Sequence, residues 1–292
     1  MNYFFTIVLV TLVGTTASCG TNCVLSAWSA WSEPYGFGQI KRTRTITANA
    51  TGCGTCSGAL FEEIYTDSEV PPTDVADGIC NNFLDDDGCK RDIVLILDGS
   101  GSVSIENFND MKLYFVDILS LLCPQPTPFD NDVHQLAVVL FSSSSSIRFD
   151  FNDYNNQNDY FNALLNVPYP SGSTQIQLAF NQADELFSNP IYGARANDSN
   201  NVCVKQQVMV FTDGEPTSPD AALAAAINLK SKYEVFGFII GTFNIAQQQT
   251  LAQYVSDPVE EHLFVVDTFN IFSNVVDLLV PCRDGYPCLN VK

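Results

Sequence analysis

The sequence predicts an α/β fold: an open, mostly parallel six-stranded sheet flanked by helices, preceded by a small disulfide-rich module. Three observations predict it. From Asp92 onward, six strand patterns alternate with helical ones, as right-handed crossovers onto a mostly parallel sheet require. Two of the strand runs, Ile93 to Leu97 and Val208 to Phe211, are apolar at every position, as strands buried on both faces are. Upstream of residue 90 turn residues dominate, and six of the ten cysteines (Cys19, Cys23, Cys53, Cys56, Cys80 and Cys89) fall there.

Taken in order, residues 1–18 read as a secretory signal. Tyr3 to Gly14 is almost wholly apolar, and Thr15-Thr16-Ala17-Ser18 supplies small residues for cleavage, although no Lys or Arg precedes the apolar run. That run is too short to span a bilayer, and no later segment approaches 18 consecutive apolar residues. The expectation is a secreted protein without a membrane span, and ten cysteines suit an oxidising compartment. Asn49-Ala50-Thr51 and Asn197-Asp198-Ser199 are glycosylation sequons. Formal charge is −20, from 33 acidic against 13 basic residues, which argues against a nucleic-acid partner.

Residues 19–75 form the small module. Trp28 and Trp31 stand three apart, and Arg42 and Arg44 follow at strand spacing. Guanidinium and indole planes can interleave there, so that cation–π stacking replaces a hydrophobic core. The pattern resembles a thrombospondin type-1 repeat, with Cys23 just upstream of the Trp motif; Pro34 and Ile46 stand where that family usually has Cys. Lys41, Arg42 and Arg44 are a candidate patch for sulfated glycans, against the alternative that the arginines are occupied in the stack. Cys53-Gly54-Thr55-Cys56 has zinc-ligand spacing, but no second pair or His follows nearby, so disulfides are expected. Residues 76–90 read as a solvated acidic linker, because Asp85, Asp86 and Asp87 are adjacent and lack the alternation of a calcium loop.

The sheet's strands are expected at 92–98, 135–141, 146–151, 206–212, 234–240 and 262–266. Helices are expected near 104–122, 156–165, 175–188, 219–231, 246–254 and 269–280. Only a serine-rich turn joins the second and third strands, which suits an antiparallel pair. The first strand closes on Asp98, and Ser100 and Ser102 follow at every second residue, with Gly99 and Gly101 between them. The strand ending at Thr212 repeats the logic with Asp213 and Gly214, and Thr174 sits just before a helix. Parallel strands bring these loops to one sheet edge, where ligand sites of such folds lie. Oxygen-only donors there suit a hard divalent cation such as Mg²⁺.

Asp98, Ser100 and Ser102, then Thr174, then Asp213 resemble, residue by residue, the metal-ion-dependent adhesion site of von Willebrand factor type A domains. Leu251 to Phe264 is similar to that family's last helix-to-strand passage. The resemblance covers residues 91–282, leaving 283–292 as a tail. It implies a Rossmann-like sheet and a site for Mg²⁺, or Mn²⁺ or Ca²⁺. Ser100 and Ser102 would bind the ion directly, Thr174 directly or through water, and Asp98 and Asp213 mainly through water. The implied partner is an extracellular protein presenting an Asp or Glu carboxylate.

Cysteine pairing stays open at this level. Cys123 and Cys203 should both lie at the edge opposite the metal and could pair. Cys89 and Cys282 bracket the domain, and the resemblance allows them to close it, as in some members of the family. Cys80 with Cys89, and Cys282 with Cys288, are equally allowed. Catalysis is not expected. Phosphoryl transfer places a nucleophilic Asp at such a strand end, usually with a second Asp two residues on, where this chain has Ser100. A Ser–His pair has only His134 and His262 to draw on, and His262 falls near a strand start, away from Asp98.

Overall fold

The structure, a computed structural model, describes residues 20–32, 39–65, 70–130, 133–195, 203–213, 215–241 and 245–285. The expected signal, Cys19, Cys288, the sequon at Asn197 and residues 286–292 of the tail lie outside the described residues; of Cys282 only the backbone is described. The chain divides into a small unit, containing 20–32 and 41–64, and a large one that takes up the remainder from Tyr65.

In the small unit β1 (Val24–Leu25) pairs antiparallel with β3 (Ile46–Ala48), and β2 (Gln39–Thr43) pairs with β4 (Phe61–Tyr65). Among its described residues none is buried, so apolar burial does not hold it. The expected stack does. The Arg42 guanidinium lies 5.0 Å from the Trp28 ring and 4.5 Å from the Trp31 ring, and Arg44 lies 4.2 Å from Trp28. Arg42 also pairs with Glu62 at 2.5 Å, and Arg44 donates to the Ala59 carbonyl at 2.7 Å. Cys23 and Cys56 are disulfide-bonded, and Cys53 is disulfide-bonded as well, as expected over zinc. Asn49 is exposed.

The large unit is a six-stranded sheet between two helical layers. Its elements run α1 (Pro72–Gly78), a π-helical turn (Ile79–Phe83), β5 (Lys90–Asp98), α2 (Ile105–Ser120), β6 (His134–Phe141), β7 (Ser145–Phe149), α3 (Gln157–Leu165) and α4 (Ile176–Ser188). After a 3₁₀ turn come β8 (Val204–Thr212), α5 (Pro219–Lys230), β9 (Glu234–Ile240), α6 (Ile245–Ala252), α7 (Val259–His262), β10 (Leu263–Val266) and α8 (Phe269–Gly285). Strand order is β10-β9-β8-β5-β6-β7, all parallel except β7, which runs antiparallel to β6. Ser142 to Ser144 make the turn between them, the Ser142 amide donating to the Ser144 carbonyl at 2.8 Å. Alternation along β5 feeds both layers: Ile93, Leu95 and Leu97 pack with α1, α2, α3 and α8, whereas Val94 and Ile96 pack with α4, α5 and α6. From β5 the chain adds β6 and β7 on one side and then β8, β9 and β10 on the other, so the carboxyl ends of β5 and β8 form the switch-point crevice.

Three expectations give way here. Ala76 to Asp87 is not a solvated linker: Val75, Ala76, Ile79, Phe83 and Leu84 are buried in the core with α8 and β10. Val75, Ile79 and Phe83 recur at four-residue spacing, which puts one apolar stripe on a helix, and Arg91 donates from beneath to the Phe83 and Asp85 carbonyls. Cys203 pairs with Cys89, not Cys123, across 4.8 Å between Cα atoms, which also excludes Cys89–Cys282 and Cys80–Cys89. The cause is register: β5 and β8 are parallel neighbours with Lys90 opposite Val204, so the residues before each strand face one another. Cys80 and Cys123 are disulfide-bonded elsewhere. Finally, the last helix reaches Gly285, past the expected boundary at 282.

Candidate metal centre

The site forms where the carboxyl ends of β5 and β8 open the sheet. Asp98 is the last residue of β5 and is fully buried, with Ser100 1% exposed beside it. The Ser100 amide donates to Asp98 Oδ1 at 2.8 Å, and the Thr212 hydroxyl donates to Oδ2. Burial pushes the Asp98 carboxyl up to about 6 in the protein alone, against the hydrogen bonds from Thr212 and Ser100 that favour its ionised form; Asp213 raises it further. Asp213, half-buried after β8, is also raised, chiefly by desolvation, with the Ser102 hydroxyl opposing. Positive charge between these carboxylates therefore answers a strain the fold builds in.

Ser100 Oγ and Ser102 Oγ lie 3.0 Å apart, and Ser102 Oγ donates to Asp213 Oδ1 at 2.8 Å. Four of the five expected residues are thus linked by direct hydrogen bonds. Thr174 comes to the same edge through its backbone: its amide donates to Thr217 Oγ1 at 3.1 Å, and the Thr217 amide donates to the Thr174 carbonyl at 2.9 Å. Thr217 lies four residues after Asp213, so this reciprocal pair ties the two loops together. The third tie is Gly101 N–H to the Gly172 carbonyl, 2.8 Å.

Two glycines make the approach possible. A Cβ on Gly99 would fall 2.5 Å from Pro170 Cδ, and one on Gly172, whose φ is +132°, would fall 2.6 Å from Ser143 Oγ. Ser173 donates from both its amide and hydroxyl to Ser143, and the Tyr169 hydroxyl donates to the Ser100 carbonyl at 2.9 Å. Thr212, Thr217, Tyr169 and Ser143 were not foreseen. Of these only Thr212, the last residue of a buried strand, carried a signal: a buried hydroxyl needs a partner.

The donor set is two carboxylates and three hydroxyl-bearing residues. Among the described residues no three His, Cys, Asp or Glu side chains gather as a metal cluster, so this is an oxygen site rich in neutral ligands. That composition fits a hard divalent cation. His134 and His262 stand at the opposite sheet edge, His134 at the start of β6 and His262 at the end of α7 just before β10.

The sequence model of the von Willebrand factor type A domain matches residues 92–278. The chain belongs to the von Willebrand factor type A domain family. Among its relatives, the mouse collagen alpha-6(VI) chain is 30% identical over 193 residues, covering 65% of this chain and 8% of that one. Chicken matrilin-3 is 25% identical over 202 residues, covering 68% of this chain and 42% of matrilin-3. The chain thus spans under half the length of either relative. Proximal thread matrix protein 1 from the mussel byssus superposes with a TM-score of 0.55 at 20% identity, over 66% of this chain and 48% of that one, in a structure with a zinc-occupied MIDAS motif. At that identity the likeness concerns the A-domain fold. Among the described residues no helix is long and apolar enough to cross a membrane.

Proposed function

We propose that this chain is a secreted binding protein whose A domain holds a divalent cation and, through it, grips a carboxylate on an extracellular protein partner. The observation that carries the reading is the hydrogen-bonded run from Asp98 through Ser100 and Ser102 to Asp213, with the Thr174 loop tied alongside. Ser100 and Ser102 are direct ligands, Thr174 a direct or water-mediated one, and Asp98 and Asp213 act mainly through water. Mg²⁺ suits this set, with Mn²⁺ or Ca²⁺ as substitutes. The bound cation supplies a positive centre with an exchangeable position for an acidic oxygen. The chain's own part is orientation: Thr212 and the Ser100 amide fix both oxygens of Asp98, and the loop ties fix the hydroxyls. Neutral hydroxyls leave the ion enough charge to attract a third carboxylate.

Kinship with collagen VI chains and a matrilin supports an extracellular setting, as does the apolar run from Tyr3 to Gly14. The small unit is a thrombospondin-like repeat in this reading, held by its Trp–Arg stack. Arg42 and Arg44 are engaged there, which favours a structural role for them over sulfated-glycan binding with Lys41. A heparin column run with the full chain tests this, early elution at physiological salt being the expected outcome.

The central test uses the full chain with Ser100→Ala and Asp213→Ala. Calorimetry with Mg²⁺ or Mn²⁺ should show binding to the native protein and none to the double variant, with the far-UV spectrum unchanged. Capture of extracellular proteins should follow the cation. Partner capture that survives both substitutions and EDTA would favour a matrix component in which the metal only stabilises the loops.

A further inference from the structure

Beside the metal centre lies a groove of about 420 Å³ whose described lining includes Asn107, Asp213, Gly241, Asp267, Phe269 and Asn270. It runs along the same sheet edge, from the start of α2 past the ends of β8, β9 and β10 to the start of α8. Asp213 belongs to both the groove and the metal centre, so a chain seated on the cation continues directly into it. The half-buried Asp267 carboxylate makes no hydrogen bond or ion pair with any described residue. Phe269, whose ring centre is 6.0 Å from that of Phe211, gives the groove a fixed aromatic wall.

The charge around this groove is one-sided. Segments 98–111, 142–147, 168–176, 215–229 and 267–281, which begin or pass at the metal edge, contain no Lys, Arg or His. Lys90, Arg91 and Lys205 sit instead at the opposite ends of their strands. Asp98 and Asp213 balance a divalent cation. An arriving carboxylate and Asp267 then add two negative charges that no basic side chain of these segments offsets.

Building on the metal-dependent reading above, we propose that the groove is a subsite for a Lys or Arg adjacent to the metal-binding acid of the partner. Its aliphatic stem lies along Phe269 and its charged head reaches Asp267. The partner motif is therefore an acidic residue with a basic neighbour, which the cation and Asp267 read together.

The probe is an array of end-capped pentapeptides with a central Asp and varied neighbours, exposed to the full chain in Mg²⁺ with and without EDTA. Peptides with Lys or Arg beside the Asp should be retained about fivefold more than those with Glu there. Asp267→Asn should remove that preference while leaving EDTA-sensitive retention, Mg²⁺ binding and unfolding unchanged. Asp110→Asn, an exposed change on α2, should leave the preference intact. EDTA-sensitive retention without a basic preference, or a preference that survives Asp267→Asn or falls equally with Asp110→Asn, overturns the subsite alone. Absence of any Asp-dependent, EDTA-sensitive retention overturns the metal reading, and the subsite with it.

Discussion

His134 shows how a single buried side chain makes a fold sensitive to acid. It opens β6, is 2% exposed, accepts the Arg91 amide at Nδ1 at 2.9 Å, and donates from Nε2 to the Cys123 carbonyl. Burial pushes its pKa down from 6.5 to about 4; the Cys123 bond opposes, Arg91 and Arg195 lower it further, and Asp87 opposes again. Between those values the unfolded chain binds a proton the folded chain does not. The neutral ring's contribution is therefore complete above about pH 6.5 and is lost as pH falls toward 4, a difference on the order of 3 kcal/mol. His134→Gln should lower A-domain stability at pH 7 and flatten its decline between pH 6.5 and 4, as read by urea unfolding monitored at 222 nm. A variant with the same acid slope as the native chain would refute the assignment. Residues of this kind are illegible in sequence, because neutrality comes from what surrounds the ring. The candidate metal-site residues were legible as neighbours for the opposite reason: Asp98, Ser100 and Ser102 alternate along one strand end and its loop, and Asp213 repeats a strand-end pattern. Thr217 and Tyr169 act across loops, through contacts that only the folded chain creates.

At the scale of elements, strands were the most readable feature, since a run buried on both faces admits little but apolar residues. The segment from α1 through the π-helical turn was not readable. It is short, and Asp74, Asp77 and Asp85 to Asp87 mask an apolar stripe of three side chains. Disulfide pairing was hidden too, because Cys89–Cys203 follows from the β5–β8 register rather than from spacing. The stripe has a measurable consequence. Phe83 is fully buried, with its ring centre 5.3 Å from Phe236 and 6.3 Å from Phe238, both edge-on. Phe83→Ala should cost the A domain about 3–5 kcal/mol, visible as a lower urea midpoint. A solvated linker would give a change within about 0.5 kcal/mol, and that result would return residues 76–90 to a connecting role.

The two units of the chain are stabilised by different physics, and its only two tryptophans, Trp28 and Trp31, both lie in the smaller one. The A domain buries two apolar layers against its sheet, so hydrophobic burial carries it. The small unit buries none of its described residues and depends on the Arg–Trp stack and on disulfides that constrain its unfolded state. Tryptophan fluorescence therefore reports on the small unit, and ellipticity at 222 nm reports on the helices of the A domain. The two signals should unfold at different urea concentrations, contrary to single-transition behaviour. A reducing agent should abolish the fluorescence transition, because cation–π pairs of about 0.5–1 kcal/mol each at exposed sites cannot alone order the loops. The ellipticity transition should move down yet stay cooperative, since Cys89–Cys203 adds to a core that is already sufficient. Coincident transitions before and after reduction would mean that the two units fold as one.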